Sequence, residues 1–273
     1  MKLDIEHSFF CGLGDVVIFA WVAEGLRGTG NELSFYAPGG WRADVLRLFG
    51  QEVTADPACA MTITRPFADD MEEGTALDYM EWIAEQICPG CTPIRPCADF
   101  IPFDRHFGRQ MARDVLLFPQ TTDQARQWPV AYWIDLANLL RMEGLNVALV
   151  LNEFEGRYQC SPVPVIHGQS IERIAAAMQT SKLVIGNDSG PAHLAGTLGT
   201  PTIAIQGSTT ERIFSYLPEV TSLRDLDLPC SGCHGAREQW RPACGNGCQA
   251  LYRLFPDQVA RFVMAEFFVK ETA

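Results

Sequence analysis

The sequence predicts an α/β protein made of two parallel sheets covered by helices. Apolar strand-like runs alternate with segments of helical period along most of the 273 residues, and that alternation is the signature of βαβ units. Two of the strands run straight into glycine turns that open helices, at residues 12–15 and 186–190. In such folds ligands bind at the carboxyl ends of the strands. The length suits one large or two small hydrophobic cores.

In chain order, residues 8–11 read as a short buried strand followed by the turn Gly12-Leu13-Gly14-Asp15 and a helical run over 16–26. Residues 33–37 form the next strand, 42–49 a helix and 52–54 a third strand, completing a βαβαβ half. The turn is not a dinucleotide fingerprint, because Val17 occupies the third glycine position and no acidic residue closes the strand at 33–37. Leu77, Met80, Ile83, Ala84 and Ile87 have helical spacing, and a proline-rich stretch then carries Cys88, Cys91 and Cys97. Arg105, His106, Arg109 and Arg113 concentrate positive charge in an acidic chain; a solvated linker face is favoured over an acceptor-phosphate site, with a boundary near residue 110.

The second half opens with an apolar strand at 115–118 and a loop containing Thr121, Thr122, Arg126 and Trp128. Val130, Trp133, Ile134, Ala137 and Leu140 give the following helix one apolar face, and Gly144 ends it. A strand at 146–151 follows, then a helix capped by Ser170 and running through Met178. Residues 183–207 are the centre of the chain: strand, tight turn, short helix, strand. Asp188 or Ser189 can cap that helix, Pro191 suits its first turn, and Gly199 with Pro201 stops it. The free N–H groups at such a helix start favour a phosphate or diphosphate. An amphipathic helix over 256–268 ends the chain, so the units are 1–110, 111–255 with a cysteine-rich segment at 229–248, and a terminal helix within 256–273.

A net charge of −12 argues against wholesale binding to nucleic acid or an anionic membrane surface. No apolar run approaches a membrane span, and the first seven residues carry acidic groups where a signal peptide would be apolar, so the expected location is cytoplasmic. Ten cysteines in such a protein point to metal ligands or redox chemistry before disulfides. Cys230 with Cys233, and Cys244 with Cys248, are two short-range pairs whose spacing lets four thiolates converge on a structural zinc or iron. Buried cysteines and a redox dithiol are the competing readings. Cys88, Cys91 and Cys97 form a second site only with a fourth ligand such as Cys59 or His106.

The turn Gly12-Leu13-Gly14-Asp15, the 119–128 loop, and the run from Asn187 through His193 with Gln206-Gly207 resemble the bacterial heptosyltransferases, glycosyltransferase family nine. That resemblance implies two Rossmann-like domains in a GT-B arrangement, the N-terminal one compact. It further implies a nucleoside-diphosphate sugar, typically ADP-heptose, in the C-terminal half, and inverting transfer without a catalytic divalent metal. Some relatives that glycosylate autotransporter proteins are similar in carrying a four-cysteine iron site. The resemblance places Asp15 as the general base on the acceptor hydroxyl, a role that needs hydrogen-bond reach to that proton. A plain helix cap is the competing reading of Asp15. Donor-binding residues are then Gly12, Gly14, Thr121, Thr122, Arg126, Asp188, Ser189, Gly190 and His193, with Arg126 standing where the family has lysine. The acceptor is a saccharide, lipopolysaccharide-core or protein hydroxyl, and a homo-oligomer is compatible with the sequence. Ser189 with His193 is not a hydrolase pair: no Gly-x-Ser-x-Gly elbow surrounds it. Because the first half is short, a non-catalytic nucleotide-sugar-binding or protein-interaction scaffold is the alternative function.

Overall fold

The computed structural model describes residues 2–4, 12–27, 29–31, 33–37, 39–56, 58, 60–62, 84–85, 89–90, 92–98, 102–233 and 247–268. The first half holds β1 (Lys2–Asp4), α1 (Leu13–Arg27), β2 (Ser34–Tyr36), α2 (Trp41–Leu48), β3 (Glu52–Thr54) and β4 (Ala60–Thr62). Its four strands lie in the order β3-β2-β1-β4, all parallel, with Leu3 level with Phe35 and Met61. The strand expected at 8–11 lies outside the described residues. β1 escaped sequence reading because only Leu3 of its three residues is apolar, yet Leu3 is buried between two neighbours.

The second half runs α3 (Pro102–Met111), β5 (Val115–Phe118), α4 (Val130–Met142), β6 (Val147–Leu151), β7 (Val165–His167), α5 (Ile171–Thr180), β8 (Leu183–Asn187), α6 (Gly190–Thr197), β9 (Thr202–Ile205), β10 (Val220–Leu223), α7 (Gln249–Arg253) and α8 (Pro256–Phe267). Its six strands form a parallel sheet ordered β10-β9-β8-β5-β6-β7. All six strands run the same way, but the order in which the chain adds them reverses between β5 and β8, which is the switch point where a doubly wound sheet opens a binding crevice. Phe118 and Asn187 stand at the carboxyl ends of those two strands.

Strand periodicity divides the core. Val115 and Leu117 face a cluster with Trp128, Trp133, Leu136 and Val259, whereas Leu116 and Phe118 face one that continues without a break into Leu3, Val17, Phe19 and Phe35 of the first half. The two sheets therefore share buried apolar material, each fully buried large side chain contributing about 1.5–3 kcal/mol. Polar ties join them as well. Trp21 Nε1 donates to Thr197 Oγ1 at 3.0 Å, and Arg95 makes two 2.7 Å bonds to the Glu219 carboxylate.

The cationic stretch read as a linker face is helix α3. Arg105, His106 and Arg109 are exposed, as expected, while the opposite side packs on α5 so tightly that a Cβ on Gly108 would lie 2.3 Å from the Ala176 Cβ. The segment joining the halves is an amphipathic helix, with Phe103, Phe107 and Met111 at helical spacing, and tertiary packing covers one of its faces.

Candidate active site

Two helix starts face each other across the halves. α1 follows Gly12, and α6 follows Ser189. A Cβ on Gly190 would lie 2.3 Å from the Leu13 Cβ and 3.1 Å from the Gly14 nitrogen, and a Cβ on Gly14 would lie 2.9 Å from His193 Cδ2. A Cβ on Gly190 would strike the base of the Leu13 side chain and crowd the Gly14 nitrogen, and one on Gly14 would press on the His193 ring, so both positions suit glycine.

Asp15 lies in the first turn of α1, half-buried, with Oδ2 accepting the Gly12 N–H at 3.0 Å. Burial raises its pKa above the ordinary carboxylate value, and the Gly12 N–H and the Arg126 guanidinium hold that rise in check. The helix begins at Leu13, so Asp15 is its third residue and does not cap a helix starting at Val16; its bond to the Gly12 N–H reaches back to the helix start and occupies one of the two carboxylate oxygens.

Arg126 ends a 3₁₀ turn in the loop between β5 and α4. Its Nε lies 3.3 Å from Asp123 Oδ2, and its Nη1 lies 4.0 Å from Asp188 Oδ2. Its positive charge acts on Asp15 and on His193, so residues separated by more than a hundred positions share one electrostatic environment. Asp188 is buried, and its backbone N–H donates to Ile205 O at 3.1 Å.

The cap expected of Ser189 is corrected in detail. Ser189 occupies the N-cap position, but its hydroxyl donates to Asn187 O at 3.2 Å and accepts no bond from the helix. A side-chain cap would have consumed first-turn N–H groups that a bound anion could otherwise use. Thr121 is half-buried and accepts the Asp123 N–H at 3.4 Å, while Thr122 is exposed. His193 is buried, its Nδ1 lies 2.6 Å from Tyr216 Oη, and burial lowers its pKa to about 3.

Sequence reasoning missed Asn187. Fully buried at the end of β8, it donates from Nδ2 to Pro119 O at 2.7 Å and accepts the Trp128 N–H on Oδ1 at 3.0 Å. Both ends of the Arg126 loop are thus fastened to the strand that leads into α6. Gln120 does the same for the next loop, taking the Asn152 N–H at 2.7 Å and donating to Glu153 O at 3.0 Å. An amide inside an apolar run, as in Ile185-Gly186-Asn187, was the available signal, since a buried amide must find partners.

This arrangement agrees with a match over residues 98–242 to the model of glycosyltransferase family 9 (heptosyltransferase). The chain belongs to that family. Within family 9, it is 23% identical over 116 residues to the lipopolysaccharide core heptosyltransferase OpsX of Haemophilus influenzae, a stretch that is 39% of this chain and 31% of that protein. The alignable sequence thus spans about a third of the curated relative. The folds agree over far more. The ADP-heptose lipopolysaccharide heptosyltransferase II of Escherichia coli superposes with a TM-score of 0.65 at 15% identity, over 97% of both chains. The iron-containing dodecameric glycosyltransferase TibC of enterotoxigenic E. coli superposes with a TM-score of 0.67 at 15% identity, over 97% of this chain and 75% of that one. The family 9 chain thus has the GT-B-like fold of two parallel sheets.

The cysteine segment lies beside the second sheet. The Cys233 N–H donates to Cys230 O at 3.1 Å, and both side chains are half-buried. Cys248 is buried at the start of α7, its Sγ 2.7 Å from where a Gly207 Cβ would stand, and the Gly207 carbonyl accepts the Gly232 N–H at 2.9 Å. Gly207 therefore sits between the Cys230–Cys233 turn and Cys248. Cys244 lies outside the described residues, and among those described no group of three or more Cys, His, Asp or Glu is placed to hold a metal. Of the second cysteine group, Cys59, Cys88 and Cys91 also lie outside them, Cys97 is exposed, and His106 pairs with Gln110 at 3.0 Å.

Proposed function

We propose that the chain is an inverting glycosyltransferase that moves a sugar, heptose in the first instance, from a nucleoside diphosphate to a hydroxyl. The observation that carries this reading is the meeting of Asp15 from the first half with Arg126, Asp188 and His193 from the second, at two opposed helix starts. The Asp15 carboxylate takes the acceptor proton as that oxygen attacks the anomeric carbon from the face opposite the diphosphate. The bond from that carbon to the diphosphate oxygen breaks, and the configuration inverts. Arg126 and the first-turn N–H groups of α6 stabilise the charge that develops on the leaving diphosphate. Support for the donor comes from relatives: a TibC structure contains ADP-D-β-D-heptose. The acceptor is a saccharide, a lipopolysaccharide core or a protein hydroxyl, the first two suggested by the lipopolysaccharide enzymes among the relatives.

The proposal includes a structural zinc or iron held by Cys230, Cys233, Cys244 and Cys248, and no step of transfer passes through it. The tight turn joining Cys230 to Cys233 and the burial of Cys248 across Gly207 suit a thiolate set, and TibC is iron-containing. A cytoplasmic location and assembly of several copies belong to the same reading; among the described residues no helix is long and apolar enough to cross a membrane, and TibC is dodecameric. The domains are taken as 1–110 and 111–255 with the terminal helix beyond.

The test is calorimetric titration with ADP and ADP-heptose, followed by transfer assays over saccharide and protein acceptors with metal content measured in parallel. Saturable donor binding with product formation supports the enzyme. Donor binding without transfer on any acceptor supports the scaffold reading, which the shortness of the first half motivates. Full metal loading after serine replacement of Cys230 and Cys248 would defeat the cysteine centre.

A further inference from the structure

His193 is held from opposite edges by different parts of the molecule. Its Nδ1 lies 2.6 Å from Tyr216 Oη, while its Cδ2–Nε2 edge faces the first glycine turn: a Cβ on Gly14 would lie 2.9 Å from Cδ2 and 3.4 Å from Nε2. Phe214 covers the ring at 4.5 Å between centroids. Burial makes this imidazole neutral at ordinary pH, so it has one N–H to give, and the partner at Nδ1 decides which nitrogen carries it.

Tyr216 is buried, with Trp21 edge-on at 5.2 Å, and His193 is the hydrogen-bond partner of its hydroxyl among the described residues. Burial also raises its pKa, so the phenol keeps its proton. If Nδ1–H donated to Oη, the phenol proton would be left buried without an acceptor. If Oη–H donates to Nδ1, one bond satisfies both groups.

The geometry points to Tyr216 as a positioning residue that locks His193 as the Nε2–H tautomer, leaving that N–H at the junction of the two glycine turns for an anionic oxygen of a bound nucleoside diphosphate. The ligand half of this inference rests on the donor site proposed above; the tautomer half does not. Tyr216 came from no sequence pattern, since it lies in a loop and reaches His193 only through the fold.

The test pairs two readouts on the full chain. Long-range proton–nitrogen spectra of ¹⁵N-histidine-labelled protein report which ring nitrogen of His193 is protonated, and calorimetry with ADP reports the ligand. Expected are a proton on Nε2 in the wild type, a mixture of tautomers in Tyr216→Phe, and ADP affinity lower by about tenfold in that variant. Tyr216→Phe keeps the ring against Trp21, and if it fails to fold the wild-type spectrum alone decides. A wild-type proton on Nδ1, an imidazolium at neutral pH, or an unchanged tautomer in Tyr216→Phe overturns the lock. Unchanged ADP affinity in Tyr216→Phe overturns the ligand half. No ADP binding by the wild type defeats the donor site itself, and the spectra still decide the tautomer.

Discussion

Gly190 and Leu13 touch across the two halves, so that one methyl group on Gly190 would stand 2.3 Å from the Leu13 Cβ. The helix starts that carry the candidate chemistry are thereby set against each other through the base of the Leu13 side chain and the Gly14 backbone nitrogen, which a Cβ on Gly190 would approach to 3.1 Å. Gly190→Ala must push the turns apart. The expected cost is about 1–3 kcal/mol in chemical denaturation, accompanied by weaker donor binding in calorimetry. Unchanged values for both would show that the junction does not govern the site.

Asp15→Asn separates the base from the bond to Gly12. Asparagine keeps an oxygen that can accept the Gly12 N–H, so the fold should persist, and removing a carboxylate whose charge is disfavoured by burial should not lower the melting temperature at neutral pH. Turnover should fall by about 10²–10⁴-fold. A variant with wild-type kcat would end the assignment of Asp15 as base.

Arg126→Gln should move a pH profile. A base acts only when deprotonated, so kcat/KM falls as pH drops through the Asp15 pKa. Burial already places that limb above the ordinary carboxylate range, and Arg126 restrains it. Removing the cation should shift the acidic limb to higher pH, with donor affinity also reduced. A limb that stays in place would show that another group controls it.

His193 links folding to acid. Its folded pKa of about 3 lies below the ordinary value of 6.5, so the unfolded chain binds the proton first. Its contribution to stability is complete above pH 6.5 and is lost as pH falls from there towards 3, with a slope of about 1.4 kcal/mol per pH unit. Urea unfolding of wild type and His193→Gln across that window should show a steeper acid dependence for the wild type. Parallel curves would contradict the burial of a neutral imidazole.

Asn187→Ala should release the Arg126 loop. Two buried bonds, to Pro119 O and from Trp128 N–H, would be lost; Pro119 O keeps its 2.6 Å bond from Gln127 Nε2, whereas the buried Trp128 N–H loses its acceptor at a cost of about 1–3 kcal/mol. Donor affinity should fall although Asn187 itself is behind the site. Equal affinity, measured by calorimetry, would separate the loop from donor binding.

Much of this protein is legible along the chain. Val130 to Met142, Ser170 with the helix after it, and the unit from Leu183 to Ile205 declare themselves through local rules: apolar period, a capping hydroxyl, a proline and a glycine at the right offsets. Asp15, Arg126, Asp188, Ser189, Gly190 and His193 stood out as candidates along the chain because glycine turns mark the helix starts and because the motifs around them resemble those of family 9. The edge strands Val165–His167 and Val220–Leu223 were not, since half-buried strands of three or four residues carry too few apolar positions to show a period. Helix α3 read as a linker because its cations face water and its buried side is covered by α5. Above all, what each site residue touches was beyond reach. The Tyr216 hydroxyl on His193, the Asn187 amide on both ends of a loop and the close approach of Gly190 to the Leu13 side chain join positions between 23 and 177 residues apart. Sequence spacing governs what a segment can become on its own; only closing the chain on itself decides which buried polar group finds which partner.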